Sequence, residues 1–189
     1  VKIIWVGRID ERPKRVSDIP LIAKRLIDKK VNFSIEVLGD GPDKQSLMTQ
    51  INEANLNTYI KLSGWKERGD LMLSLSQADV FLQTSNFEGM SVALMEALSQ
   101  GCMVVSTRVS GVEDLEHNIK FKDVLRVYTV GDIDQACEYI QELKMNTQHI
   151  SRYEARSICE EIFSIAKCIK EYERLIFSLK DNDKVRIHN

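Results

Sequence analysis

The sequence predicts an α/β fold in which a parallel sheet is flanked by helices. Short apolar runs rich in β-branched residues alternate with helical patterns, as in strands joined by crossover helices. With 189 residues, of which 43% are hydrophobic, the chain can bury one good core. No internal repeat or low-complexity linker interrupts it. We therefore expect one domain over residues 1–150, a helix of the same domain over 151–180, and a polar tail over 181–189.

Six short and mostly apolar runs predict the strands. Turn residues follow the first three of them, at Gly7, Gly39 and Gly64. In chain order the predicted strands are Lys2–Val6, Phe33–Leu38, Ile60–Leu62, Val80–Gln83, Met103–Thr107 and Val124–Val130.

Seven segments between and after these strands predict helices. Pro42 suits the first turn of a helix, and Asp132 is a good N-cap after Gly131. The last segment repeats apolar residues at helical spacing, as at Ile158 and Ile162. The predicted helices are Val16–Lys30, Pro42–Asn55, Arg68–Gln77, Ser91–Gln100, Val112–His117, Asp132–Lys144 and Ser151–Leu179.

Composition and charge argue against several classes of protein. The formal net charge is −2, whereas a nucleic-acid binder presents a strongly basic face. No apolar run reaches the roughly 18 residues of a membrane span, and no signal-like segment opens the sequence. The sequence begins inside a strand, at Val1, without a methionine. We therefore expect a piece of a longer, cytoplasmic protein that does not bind nucleic acid.

The sequence predicts neither a disulfide framework nor a metal site. Its four cysteines lack C-x-x-C spacing and lie in strand or helix patterns, as reduced and mostly packed thiols do. The three histidines are scattered along the chain, so a zinc cluster is not expected. These residues are Cys102, Cys137, Cys159 and Cys168, and His117, His149 and His188.

Residues 83–101 carry the strongest functional signal. A polar turn that contains Glu88 and Gly89 leads into a helix, residues 91–100, which is apolar on nearly every side but carries Glu96. A helix that is apolar all round is normally buried. Burying a carboxylate without a partner is costly, so the group either pairs with a cation or serves a ligand.

The start of this helix has the chemistry of an anion site. Its first backbone N–H groups are unpaired, the helix dipole is positive there, and Gly89 lets a ligand approach the backbone. Glu96 lies about 12 Å along the helix beyond Glu88, at ~1.5 Å per residue. Two carboxylates with N–H donors between them suit a hydroxyl–phosphate–hydroxyl ligand such as a nucleotide-sugar. On spacing alone, a buried helix with Glu96 in an internal ion pair is an equal alternative.

The stretch from Glu88 to Gly101 resembles the signature of retaining glycosyltransferases of family 4, in which seven residues separate two glutamates. That family has the GT-B architecture, in which two Rossmann-like domains face each other across a cleft. The resemblance covers about residues 1–145 and implies a Rossmann-like, donor-binding, C-terminal half of such an enzyme. It rests further on Val6-Gly7-Arg8, Leu38-Gly39-Asp40-Gly41-Pro42, Leu62-Ser63-Gly64-Trp65 and Ala78-Asp79-Val80-Phe81.

The resemblance also implies an activity, which is transfer of a hexose from a nucleotide diphosphate sugar, with a UDP-sugar as the expected donor and no metal required. The acceptor, a saccharide or a lipid-linked sugar, would bind the N-terminal domain. A membrane-bound acceptor would bring the full-length protein into peripheral contact with the inner face of a membrane. The implied catalytic residues are Glu88, Arg8 and Lys14; the implied donor-binding residues are Gly7, Gly64, Trp65, Gly89, Met90, Ser91, Val92 and Glu96.

One of the implied phosphate contacts has competitors. In the family a lysine, usually followed by glycine, comes a few residues after the arginine that matches Arg8. Here the segment reads Arg12-Pro13-Lys14-Arg15, so three cations compete for that role. We favour Lys14, because a lysine is the usual residue there, and regard Arg12 as its main competitor.

Several neighbouring residues are less specific. Trp65 could stack on a base or cap the core, and Phe87 is expected to pack. Thr84 and Ser85 replace a usual Pro-Ser pair, and Met103 replaces a usual Pro, so the donor is left open. For the turn that contains Ser106, Thr107, Ser110 and Gly111 and leads to Glu113, we favour turn chemistry over contact with the sugar.

Three alternative functions fit parts of this sequence. The Gly39-Asp-Gly41 loop follows a strand but lacks the third glycine and the later acid of a dinucleotide fingerprint, so we expect it to shape the nucleotide cleft. A receiver-like signalling module would use Asp10 and Glu11, but it also needs an Asp after the third strand, which ends in Ser63-Gly64-Trp65. A non-catalytic nucleotide-sugar-binding or scaffold module stays open.

Overall fold

A fully parallel, six-stranded sheet forms the centre of the protein. The structure is a computed structural model that describes residues 1–146 and 152–186. All five strand pairings are parallel, and the strand order is β3-β2-β1-β4-β5-β6. The strands are β1 (Lys2–Val6), β2 (Ser34–Leu38), β3 (Ile60–Gly64), β4 (Val80–Gln83), β5 (Met103–Thr107) and β6 (Leu125–Tyr128).

This strand order is that of the doubly wound Rossmann sheet, so the predicted fold class is confirmed. A receiver-like module has the order 2-1-3-4-5 instead, and that alternative is therefore wrong. In the observed order, β1 to β3 follow one another toward one edge of the sheet and β4 to β6 toward the other edge. The order therefore reverses between the neighbouring strands β1 and β4. The crevice at this switch point, outside the carboxyl ends of the two strands, is where open α/β sheets bind ligands.

The described residues form nine helices. They are α1 (Glu11–Lys14), α2 (Asp18–Asp28), α3 (Lys44–Glu53), α4 (Arg68–Gln77), α5 (Val92–Ser99), α6 (Ser110–Glu116), α7 (Ile133–Asn146), α8 (Arg152–Phe163) and α9 (Ile165–Arg186). A short 3-10 helix, Ile119–Phe121, lies between α6 and β6. Helix α2 packs against α7, and α5 packs against α8. None of the described helices is both long enough and apolar enough to cross a membrane.

Most predicted elements are present, with shifts at their ends. Helix α4 has the predicted bounds, and Asp132 caps α7 through a hydrogen bond from the Gln135 N–H to Oδ1, 2.9 Å long. Pro42 precedes its helix, which begins at Lys44. Helix α1 was not predicted. The predicted boundary between residues 150 and 151 lies outside the described residues, as do His149 and His188.

The single final helix predicted over Ser151–Leu179 is wrong, because the structure has two helices there. Ser164 separates them and caps α9: its carbonyl accepts a hydrogen bond from the Cys168 N–H (3.0 Å) and its Oγ from the Lys167 N–H (3.4 Å). Helix α9 continues to Arg186, so the first part of the predicted polar tail is helical.

The core lies on both faces of the sheet, as expected for a parallel sheet covered by helices. Every residue of β4 and β5 is buried. Three of the cysteines, Cys102, Cys137 and Cys159, are buried free thiols, whereas Cys168 is exposed. Burial raises the pKa of Cys102 and of Cys137 to about 12, which keeps both thiols protonated.

Candidate functional site

The loops after β1 and β2 pack closely at the switch point. The Gly7 N–H donates to the Leu38 carbonyl (3.0 Å), and the Gly39 N–H donates to the Gly64 carbonyl (2.8 Å). Gly39 has a φ of +137°, and a Cβ there would lie 1.8 Å from the Gly7 carbonyl oxygen. Only glycine fits this position. The glycine at position 39 is thus required by the contact between two loops.

A cavity of about 370 Å³ opens at this point, and we call it the switch-point cavity. It contains five of the predicted site residues: Gly7, Arg8, Trp65, Val92 and Glu96. It is lined by the end of β1 (Val6, Gly7, Arg8), the end of β2 (Leu38, Gly39), the segment that leads into α4 (Trp65, Lys66, Arg68, Leu71) and the start of α5 (Val92, Ala93, Glu96).

Glu96 lines this cavity and is half-buried. Among the described residues, no cation pairs with its carboxylate, so the internal ion pair weighed from the sequence is not observed. Helix α5 is also less buried than its composition predicts, because Val92 is 61% exposed at the cavity. The apolar residues at the start of α5, Val92 and Ala93, thus line the cavity together with Glu96.

Arg8 and Trp65 are the most exposed of the predicted residues in the cavity. The Arg8 side chain is 71% exposed, and its Nε lies 3.4 Å from Asp10 Oδ2. Trp65 is 76% exposed, so it does not cap the core, and its ring is open for stacking. Phe87, which was expected to pack, is also exposed, in the turn before Glu88.

Glu88 and Lys14 form an ion pair. Neither lines the switch-point cavity, but Lys14 Cε lies 3.6 Å from the point where a Cβ of Gly7, which does line it, would lie. Both side chains are about one-fifth exposed, at 20% and 21%. Glu88 Oε2 also accepts a hydrogen bond from Ser85 Oγ, 3.4 Å long. Two residues distant in sequence that were both predicted to act on the ligand therefore meet in the structure.

The three cations that compete near Arg8 have different surroundings. Arg15 donates two hydrogen bonds, of 2.8 and 2.9 Å, to the buried Asp18, which occupies its guanidinium group in the fold. Hydrogen bonding to Asp18 raises the pKa of Arg15, against the opposing effect of burial. Arg12 is exposed and does not line the switch-point cavity. Lys14 pairs with Glu88, which is itself a predicted site residue, and its contact with phosphate stays a prediction.

The turn from Gly89 to Ser91 leads into α5 without lining the cavity. Ser91 is the N-cap: its side chain accepts a hydrogen bond from the Leu94 N–H, 3.3 Å long. Met90 is exposed, and a Cβ added at Gly89 would meet no atom within 4 Å. Gly64 also stands outside the cavity lining, with a φ of +73°. The turn at Gly89 therefore presents open backbone.

Sequence analysis missed Lys66 as a residue of the site. Its Nζ lies 3.0 Å from Glu36 Oε1 and donates to Ser74 Oγ at 2.7 Å. Burial alone would raise the pKa of Glu36, but hydrogen bonds from Ser63 and Lys66 and the charge of Lys66 lower it below its ordinary value. The signal in the sequence was the place of Lys66 directly after Trp65, near the carboxyl end of β3.

The predicted turn after β5 is shorter than expected, because Ser106 and Thr107 belong to β5 and Ser110 and Gly111 to α6. Thr107 is buried and its Oγ1 donates to the Ser85 carbonyl at 2.7 Å, while Ser106 Oγ donates to the Thr107 carbonyl at 3.0 Å. Gly111, in α6, packs against the Gly89 turn, since a Cβ there would lie 1.8 Å from the Gly89 carbonyl oxygen. Glu113 is exposed on α6. The start of α6 therefore packs directly against the backbone of Gly89.

Comparisons with known proteins agree with this architecture. The chain is 35% identical over 121 residues to the putative colanic acid biosynthesis glycosyltransferase WcaL of Escherichia coli (strain K12); the match covers 61% of this chain and 30% of WcaL. In fold it matches the apo lipopolysaccharide outer core galactosyltransferase WaaB with a TM-score of 0.80 and 22% identity, over 94% of this chain and 49% of that one. It matches Anabaena HepE in complex with UDP-glucose with a TM-score of 0.74 and 17% identity, over 94% and 48% of the two chains.

The chain thus spans less than half the length of the proteins that it matches. The model of the family "Glycosyl transferases group 1" matches residues 1–159. Because that match takes in most of the 189 residues, the chain belongs to the group 1 glycosyl transferases.

Proposed function

We propose that this chain is the donor-binding domain of a retaining glycosyltransferase, which transfers a hexose from a UDP-sugar to a saccharide or lipid-linked acceptor in glycan biosynthesis. One observation carries the proposal. At the switch point of the sheet, an open cavity is lined by Arg8 and by the carboxylate of Glu96, which pairs with no cation among the described residues. The Lys14–Glu88 pair lies near Gly7, at the edge of this cavity. The HepE structure, which has the same fold, binds UDP-glucose.

The roles follow from the chemistry of each group. Glu96 accepts hydrogen bonds from the ribose hydroxyls, because an ionised carboxylate is an acceptor only. Trp65 offers its exposed ring to the base. Arg8 and Lys14 bind the diphosphate, together with the open backbone N–H groups of residues 89–92. Glu88 holds the hydroxyls of the donor sugar.

In the reaction the bond between the anomeric carbon and the diphosphate oxygen breaks, and a bond to an acceptor hydroxyl forms with the same anomeric configuration. Negative charge develops on the departing diphosphate. Preorganised donors aimed at such charge are usually the largest catalytic contribution. The proposal assigns this stabilisation to Arg8, Lys14 and the amides at the start of α5, with no metal ion required.

The acceptor belongs to another part of the enzyme in this proposal. The family resemblance places the acceptor groove, and any base that acts on the acceptor, on the N-terminal domain. This chain alone should therefore bind the donor nucleotide and transfer little or no sugar. If the full-length protein binds UDP-sugars without turnover, the chain is part of a binding or scaffold module instead.

Calorimetric titration of UDP and of uridine tests the proposal. Arg8→Ala should lower the affinity for UDP by roughly tenfold to a hundredfold, which is the effect of losing a hydrogen bond to a charged group. The affinity for uridine should change little. Glu96→Gln should weaken both ligands, because both contain the ribose. Arg12→Ala and Glu53→Gln are the matched controls, since both side chains are exposed and line no part of the cavity.

Two results would contradict the proposal. One is a wild-type chain that binds neither UDP nor any other nucleoside diphosphate. The other is a Glu96→Gln variant with wild-type affinity for both ligands. If Arg8→Ala weakens UDP and uridine equally, Arg8 does not contact the diphosphate.

A further inference from the structure

Thr84 occupies a defined place between the core and the segment that carries Lys14. It follows β4 directly and is 0% exposed. Its Oγ1 accepts a hydrogen bond from Trp5 Nε1 (3.1 Å) and donates one to the carbonyl of Lys14 (2.6 Å). An indole N–H can only donate and a carbonyl can only accept, so the direction of both bonds is fixed.

The segment that Thr84 holds has little stability of its own. Helix α1, Glu11–Lys14, is only four residues long, and a single helical turn is not stable in isolation. Its carbonyls find partners in the β4–α5 turn instead. The Asn86 N–H donates to the Pro13 carbonyl and Asn86 Nδ2 donates to that of Arg12, both at 2.8 Å. Of these bonds, only the bond from Thr84 comes from a fully buried side chain.

The backbone position of Lys14 decides where its ammonium group can reach. The Lys14 stem passes Gly7, with Cε 3.6 Å from the point where a Gly7 Cβ would lie, and Nζ pairs with Glu88. The ring of Trp5 borders the same point, with Cη2 at 3.2 Å. The indole is connected to the Lys14 backbone through Thr84.

We propose that Thr84 is a positioning residue for Lys14. Its hydroxyl links the buried Trp5 to the carbonyl of Lys14 by hydrogen bonds. This link holds the Lys14 backbone in place, so that the ammonium group lies beside Glu88. The inference rests on the proposed function, in which Lys14 contacts the diphosphate.

The test is a set of variants titrated with UDP and uridine. Thr84→Val keeps the shape of the side chain and removes both hydrogen bonds. It should lower the affinity for UDP by roughly tenfold and leave the affinity for uridine nearly unchanged. Thr84→Ser keeps the hydroxyl and should restore the wild-type affinity for UDP. In a Lys14→Ala background, Thr84→Val should cause no further loss, because Thr84 acts only through Lys14.

Thr107→Val is the matched control. Thr107 is equally buried and also donates its Oγ1 hydrogen to a backbone carbonyl, that of Ser85, but it does not touch the Lys14 segment. Any effect of Thr107→Val on UDP should therefore persist in the Lys14→Ala background. If Thr84→Val does not fold, Thr84→Ala carries the same test, because it removes the hydroxyl without placing a methyl group against the indole N–H.

Each possible result decides the question. If the wild-type chain binds UDP and the hydroxyl-free variant binds it equally well, Thr84 does not position Lys14. If the loss of UDP affinity is the same with and without the Lys14 side chain, Thr84 acts on the fold in general, and the inference is wrong. If the wild-type chain does not bind UDP at all, the proposed function fails, and the inference fails with it.

Discussion

The substitution Gly89→Ala tests whether the glycine at residue 89 is required for folding or for ligand binding. A Cβ at residue 89 would meet no atom within 4 Å, and the residue does not have a positive φ. An alanine there is therefore compatible with the folded backbone. Because alanine has fewer unfolded conformations to lose, the free energy of unfolding should rise by about 0.4–1 kcal/mol. For a chain of this size, that corresponds to an increase in Tm of roughly 1–4 °C.

The effect on ligand binding should have the opposite sign. If the diphosphate and the donor sugar lie against the open backbone of residues 89–92, a methyl group at residue 89 occupies part of their space. Moving the ligand away would cost at least one charge-assisted hydrogen bond, worth about 1.5–3 kcal/mol. The affinity for a UDP-sugar should fall by roughly tenfold to a hundredfold, while that for uridine changes little.

Thermal unfolding and calorimetry on the same preparations measure both effects. Gly69→Ala is the control: Gly69 lies in the first turn of α4, is exposed, and has no atom within 4 Å of its added Cβ. It should stabilise the fold as Gly89→Ala does, without changing the affinity for the UDP-sugar. A stabilised Gly89→Ala variant with wild-type affinity would show that no ligand approaches this turn, and would refute the reasoning.

Two further predictions concern titratable groups. The folded-state pKa of Glu36 lies below its unfolded value, so its ionisation stabilises the fold above the unfolded pKa, and this contribution is lost as the pH falls through the folded pKa. Denaturant unfolding should therefore show a stability difference between wild type and Glu36→Gln at pH 6 that shrinks at about pH 3; a difference that does not depend on pH would contradict the assigned cause. With a thiol reagent at about pH 8, the exposed Cys168 should react quickly, and Cys102 and Cys137, whose pKa burial raises to about 12, should react only on unfolding. Fast reaction of more than one thiol in the native protein would exclude this picture.

Local patterns predicted the sheet and most helices, because their signals lie within a few residues. All six strands appear where apolar runs predict them, and α4 has the predicted bounds. Helix α1 could not be predicted in this way. It contains Pro13 and depends on hydrogen bonds from Thr84 and Asn86, which come from the far side of the switch point. The break at Ser164 was hidden for another reason, since apolar residues at helical spacing continue on both sides of it, at Ile162 and Ile165.

The candidate site was predictable where residue chemistry was unusual for its place. A carboxylate in an apolar helix, Glu96, could be found from the sequence and does line the cavity. Lys66 has only a weak signal in the sequence, its place directly after Trp65, because its position in the structure depends on Glu36 and Ser74, each on a different element. The pairing of Lys14 with Glu88 likewise joins residues 74 positions apart, which no local pattern connects.

The glycines show most clearly what the fold adds to the sequence. Gly39 and Gly111 look no different in the sequence from Gly89, yet a Cβ at either of the first two would lie 1.8 Å from a backbone carbonyl oxygen. Those two glycines are required by the protein itself. Gly89 faces open space, so nothing in the folded chain requires a glycine there. Gly111, which the fold requires, packs against the carbonyl of Gly89, which the fold does not require to be a glycine. This arrangement fixes the Gly89 turn from the protein side and leaves its other side free, as expected for backbone that contacts a ligand.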